Sequence, residues 1–192
     1  MPNYWWRFLA LSCCVVASSV LAQSMETGSR EDGRTYWRWG SEGLGIQLTQ
    51  LQPDQIRAFY LARGLSRTAV EQLAKTCFFQ MEVRNSRSQG TPPIHLPLSA
   101  WRLVEPTGSR TVLLVTDWLQ KWGETTVSGP ARIAFRWALF PARQTFHAGD
   151  RNWGMLSTGL ETGSVFDLDV LWQSGEEQRT VRMQRLRCAD GG

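Results

Sequence analysis

Lysine is almost missing from this chain. Of its 21 basic residues only Lys75 and Lys121 are lysine, so 19 are arginine. Against 17 acidic residues the net charge is +4, too small and too scattered for the one-sided basic footprint of a nucleic-acid binder. No nucleic acid is expected as a partner. Histidine is scarcer still, present only at 95 and 147, and there is no H-x-x-x-H or C-x-x-C spacing to hold a metal. The nucleophile elbow G-x-S-x-G, the phosphate-cradling G-x-x-x-x-G-K and the dinucleotide G-x-G-x-x-G are absent as well. Nothing in the sequence therefore points to catalysis. The apolar run Phe8–Ala22 has 15 residues, whereas a bilayer core needs about 20, so no stable membrane anchor is expected.

That run has the pattern of a cleavable signal peptide over residues 1–22. One basic residue, Arg7, precedes the apolar stretch, and Val20 and Ala22 approximate the small-x-small cleavage pattern. Removing Arg7 changes the net charge from +4 to +3. The expected location is the periplasm or the exterior. Four cysteines then become two, Cys77 and Cys188. An even pair in an oxidising compartment reads as a disulfide, and neither sulfur is then free as a nucleophile or metal ligand.

Hydrophobic periodicity supplies the fold expectation. Residues 23–35 are polar and Gly/Ser-rich and read as a flexible tail, and 36–192 read as one domain. Leu44, Ile46 and Leu48 alternate as in a half-buried strand. Pro53-Asp54 opens a helix with Ile56, Phe59 and Tyr60 on one face, closed at Gly64. Ser66 caps a second helix, with Ala69, Val70, Leu73 and Ala74 as its stripe. From Cys77 the period becomes two, with Phe79, Met81 and Val83 inward and Gln80, Glu82 and Arg84 outward. Leu98–Glu105 and Thr111–Thr116 read as strands around a turn at Pro106. Asp117 is placed to cap a helical turn carrying Trp118 and Trp122. Ile133, Phe135, Trp137 and Leu139 alternate as the clearest strand in the chain. A closing hairpin puts Val170 opposite Val181 and Asp169 opposite Arg182, with a β-bulge near Gln184-Arg185 correcting the phase. The whole is mostly β: an antiparallel immunoglobulin-like β-sandwich, with a short helical pair inserted after the first strand.

Two features stand out as candidate sites. Eight tryptophans remain after residue 22. Trp137 and Trp172 share the apolar phase of their strands and read as core, and Trp101 lies in a strand. Trp37, Trp39, Trp118, Trp122 and Trp153 are candidates for exposure, where flat rings can seat a protein partner or stack on sugar. The loop after Phe140 concentrates the rarer chemistry: His147, Asp150, Arg151, Asn152 and Trp153. It is the candidate binding loop. His147 and Met155 flank it and are the candidate metal pair, since imidazole suits Cu(II) and thioether Cu(I). No other cofactor is expected.

The expected function is that of an exported, non-catalytic binding or assembly-accessory protein acting on another periplasmic or envelope protein. Two alternatives stand beside it: an accessory of copper or redox-centre assembly, and a carbohydrate or cell-wall binding module.

Overall fold

A computed structural model describes residues 24–123 and 127–191. The expected signal peptide, 1–22, lies outside them. In chain order the elements are β1 (Ser24–Ser29), β2 (Thr35–Ser41), β3 (Leu44–Gln50), α1 (Pro53–Leu61), α2 (Arg67–Ala74), β4 (Thr76–Asn85) and β5 (Ile94–Pro97). There follow a 3-10 turn (Leu98–Ala100), β6 (Arg102–Glu105), β7 (Gly108–Thr111), α3 (Val115–Trp122) and α4 (Gly129–Ala138). The chain closes with β8 (Arg143–Phe146), β9 (Arg151–Glu161), β10 (Val165–Ser174) and β11 (Glu177–Arg187).

The strands form two antiparallel sheets. The first has the order β1-β2-β3-β4-β9. In the second, β10 is central: β11 lies on one side, and β6 and β5 pair with it end to end on the other, extended by β7 and β8. The inward phase follows the period-two reading. Leu44, Ile46, Leu48, Phe79, Met81 and Val83 of the first sheet meet Phe166, Leu168, Val170 and Trp172 of the second in one buried core. In an immunoglobulin domain the first strands divide between the sheets. Here β1 to β4 stay side by side in one sheet. Two antiparallel sheets face to face is what holds of that expectation.

A second core glues four helices to the outer side of the first sheet, at the end carrying Phe78 and Met155. Tyr60, Phe78, Trp118, Trp122 and Phe135 interlock there, with Trp122 and Phe135 ring centres 4.7 Å apart and Trp118 and Trp122 5.5 Å apart. Ser66 caps α2, its hydroxyl accepting from the Ala69 amide at 3.3 Å. The helical pair α1–α2 forms as expected but follows the third strand, because the chain ahead of it makes three. Residues 24–29, expected to be flexible tail, pair along their length with β2.

The largest departure is the strand expected through Ile133, Phe135, Trp137 and Leu139, where the structure has α4 (Gly129–Ala138). Ser128 caps it, accepting from the Ala131 amide at 3.4 Å, and Pro130 occupies its first turn. Its buried side chains are Ala131, Phe135 and Ala138, spaced four and three apart. The alternation of Ile133, Phe135, Trp137 and Leu139 holds every second residue apolar, but a helix cover needs only its own stripe buried. Phe135 is buried, while Ile133 and Trp137 turn to solvent. Residues 111–116 likewise leave the β ladder at Thr111 and enter α3 at Val115.

The final hairpin follows the expected register. Val170 faces Val181 and Asp169 faces Arg182, and the register shifts where Gln184 and Arg185 stand opposite Asp167. Arg185 has a φ of 54°, and its amide donates to Asp167 Oδ1 at 2.8 Å. Cys77 and Cys188 are disulfide-bonded. Among the described residues no helix is long and apolar enough to cross a membrane.

Candidate functional site

The segment 147–153 divides into a structural half and a presenting half. His147–Asp150 is the corner between β8 of one sheet and β9 of the other. Asp150 Oδ2 accepts from the His147 amide at 2.7 Å, and the Asp150 amide donates to the His147 carbonyl at 3.0 Å. Buried Asn85 at the end of β4 pins the corner. Its amide donates to the Asp150 carbonyl, its carbonyl accepts from the Gly149 amide, and its side chain donates to the Phe146 carbonyl. Asn152 donates to Gln144 Oε1 at 2.6 Å and accepts from the Trp153 amide at 2.9 Å. Asp150 and Asn152 thus hold the corner between the sheets together. His147 is exposed at the corner.

Arg151 and Trp153 belong to the presenting half. They point from β9 to the outer side of the first sheet, where Arg151 donates to Glu82 Oε2 at 2.9 Å. Trp153 stands opposite Glu82 in the ladder and is 66% exposed. Met155, two residues on, reaches the helices instead: the Tyr60 hydroxyl donates to its sulfur at 3.3 Å. The structure therefore separates the candidate metal pair, with His147 at the sandwich corner and Met155 in the helical core. His95 lies on β5, its Nδ1 2.9 Å from Thr145 Oγ1. Among the described residues no group of three or more His, Cys, Asp or Glu side chains is arranged to hold a metal ion.

Of the five tryptophans named as candidates for exposure, only Trp153 is exposed. Trp37 and Trp39 face the sandwich core, and Trp118 and Trp122 are buried under the helices. The Trp118 indole N–H donates to Ser157 Oγ at 3.0 Å, and that of Trp122 to Gln72 Oε1 at 2.8 Å. Trp137, expected in the core, is 83% exposed. Trp101 and Trp172 are buried. Two exposed tryptophans remain, and one feature of the chain path relates them. Leu139 and Met155 form a parallel bridge, with the Phe140 amide donating to the Met155 carbonyl at 2.9 Å. Trp137 and Trp153 each lie two residues before that bridge on their own segment. Gly154 permits the close approach, since a Cβ there would lie 2.8 Å from the Phe140 backbone. Ile133, four residues before Trp137 on α4, adds a third exposed apolar side chain.

The helices cover one end of the outer sheet face and leave the other open. On the open end a single rung crosses all five strands: Glu26, Arg38, Gln47, Glu82 and Trp153. Three of its polar members bond to one another, while Glu82 bonds Arg151 of the next rung. Arg38 donates to Glu26 at 3.2 Å and to Gln47 Oε1 at 2.7 Å, and the Tyr36 hydroxyl donates to Glu26 at 2.7 Å. That last bond holds the Tyr36 hydroxyl proton more tightly than an ordinary phenol does. The next rung runs Gly40, Gly45, Arg84 and Arg151. Glu26, Arg38, Gly45, Gln47, Glu82 and Arg84 line a cleft of about 590 Å³, and Arg151 and Trp153 lie outside its lining. The polar phase of β2 and β4, with Tyr36 and Arg38 on one and Gln80, Glu82 and Arg84 on the other, is visible in the sequence. What the sequence hides is that five strands bring it into register, and that α4 leaves Trp137 exposed. Comparison of the chain with protein-family models, with curated proteins and with solved structures finds no match to it.

Proposed function

We propose that this is an exported, non-catalytic binding protein of the periplasm or extracellular space. It docks on another exported protein through the patch formed by Trp137, Ile133 and Trp153. One observation carries the reading. Six of the eight tryptophans among the described residues are buried, and the two exposed ones each lie two residues before the Leu139–Met155 bridge. Exposed large apolar side chains cost solubility unless something covers them, and grouped ones mark interaction surfaces. Tryptophan anchors are over-represented among the few residues that dominate protein association. Their setting also supports the reading. Trp153 stands on β9, paired along its length with β4, and Trp137 on a helix whose other face packs into an aromatic core.

Site-specific photocrosslinking in the native envelope tests it. A crosslinking residue at position 137 or 153 is expected to give one discrete adduct with a second protein, and one at exposed Leu61 none. Capture of that protein is expected to fall by at least about thirtyfold with Trp137→Ala or Trp153→Ala, the scale of a hot-spot truncation. Equal adducts at all three positions, or capture unaffected by both variants, would retire the proposal.

A further inference from the structure

We infer that the cleft on the open face of the first sheet binds an acidic oligosaccharide, with Arg84 receiving a carboxylate of the sugar. The inference rests on Arg84 and the sheet face; it shares Trp153 with the proposed docking patch and involves neither Trp137 nor Ile133.

Arg84 and Arg151 stand directly opposite each other across β4 and β9, both on the outer face. Like charges so placed repel. Arg151 is compensated by Glu82. Arg84 has no ion-pair or hydrogen-bond partner among the described residues. Its side chain lies flat over Gly45, its Nε 3.0 Å from where a Cβ on that residue would sit. The side chain thus runs over the cleft floor at Gly45, with its donors unspent and a second arginine opposite it. That arrangement suits an anion with two acceptor oxygens, which a guanidinium meets in a fork.

The rest of the cleft argues for sugar as the carrier of that anion. The neighbouring rung alternates carboxylate, guanidinium, amide and carboxylate; Arg38 bonds Glu26 and Gln47, and Glu82 bonds Arg151. Hydroxyl groups can donate to the carboxylates and accept from the guanidinium and amide. The rung ends at the exposed indole of Trp153, an apolar plane against which a sugar ring can stack. Five strands span about 19 Å at the usual spacing, room for a short oligosaccharide. An acidic peptide is served less well. The backbone of β2, β3 and β4 is already paired on both sides, so the face offers an extended peptide no main-chain hydrogen bonds.

Titration calorimetry with the exported form of the protein separates the possibilities. The probes are a tetrasaccharide of galacturonic acid, the same tetrasaccharide with its carboxyl groups reduced to alcohols, and tetraglutamate. The acidic sugar is expected to bind at least about tenfold more tightly than either of the others, the scale of one charge-assisted contact. Arg84→Gln is expected to abolish that difference, while Trp137→Ala leaves it unchanged. Arg84→Gln touches an exposed, unpaired side chain, and an unaltered melting temperature serves as its folding control. No binding of the acidic sugar, equal binding of the reduced sugar, equal binding of tetraglutamate, or an Arg84→Gln variant that binds as the wild type does would each overturn the inference. Failure of Trp137→Ala to disturb protein docking bears only on the proposed function.

Discussion

Cys77, one residue into β4 of the first sheet, is bonded to Cys188, one residue past β11 of the second, so the disulfide stitches the two layers of the sandwich together. The residues are 111 apart in sequence, with Cα atoms 5.2 Å apart. Both half-cystines are buried in the inter-sheet core.

Removing this bond should be costly. In the chain-entropy treatment a loop of about 100 residues contributes about 4–5 kcal/mol. A Cys77→Ala, Cys188→Ala double variant is expected to lose about 3–5 kcal/mol in urea unfolding. A midpoint indistinguishable from wild type would show that packing between the sheets suffices without the bond.

The tryptophans should split into two classes. Trp118→Ala removes a buried ring that stacks on Phe78 and donates to Ser157, and is expected to cost about 3–5 kcal/mol. Trp137→Ala and Trp153→Ala remove exposed rings and are expected to change stability by no more than about 0.5 kcal/mol. Iodide quenching of fluorescence should fall in those two variants. A large loss of stability for Trp137→Ala would show that its ring packs within the fold.

Gly154 tests the seam between α4 and β9. With a Cβ 2.8 Å from both the amide nitrogen and Cα of Phe140, alanine must push the two segments apart. Gly154→Ala is expected to destabilise by about 1–3 kcal/mol and to speed hydrogen exchange at the Phe140 amide, which bonds across the seam. Unchanged exchange there would mean the seam yields without breaking.

Glu71 gives the clearest pH dependence. Two-pronged contact with Arg57 at 3.1 and 3.2 Å holds its carboxyl below the ordinary value of 4.5. The folded carboxylate binds its proton less readily than the unfolded one, so the stabilisation is complete above about pH 4.5. It is lost as pH falls through the lower folded value. Glu71→Gln is therefore expected to flatten the melting-temperature profile on the acid side and to lower its plateau above that pH. Parallel profiles would assign the acid sensitivity to other carboxylates.

Asp169 and Arg182 were legible as a pair from sequence, and the fold joins them by two bonds of 2.6 and 2.8 Å. Because both are partly exposed, a double-mutant cycle is expected to return only a small favourable coupling. A coupling of zero would leave the register to the apolar pair beneath them.

What could be read in advance was local. Val170 against Val181, the bulge at Arg185, the Ser66 cap and the inward phase of β4 all follow from spacing within one or two elements. What could not be read was any property set by a neighbour from elsewhere in the chain. Trp118 and Trp122 carry the same spacing whether a helix faces water or a sheet, and only Phe78, Gln72 and Ser157 decide that both are buried. Residues 133–139 satisfy a strand period and, through 131, 135 and 138, a helix period as well. Contact with the outer face of the first sheet selects the helix and turns Trp137 outward. Within the candidate loop, Asp150 and Asn152 signalled turns and Trp153 signalled exposure. Arg84 gave no signal, because its significance lies in the arginine opposite it.

The amino-acid sequence alone determined the pairing of Cys77 with Cys188, the predominance of β structure and the inner and outer phase of the principal strands. Each of these follows from residue chemistry repeated at short range. The tertiary structure decided which tryptophans face water, that β9 and α4 meet at one bridge, and that Arg84 and Arg151 confront each other on an open face. These depend on segments far apart in the chain being packed against one another, and burial, unlike periodicity, belongs to both partners of a contact at once.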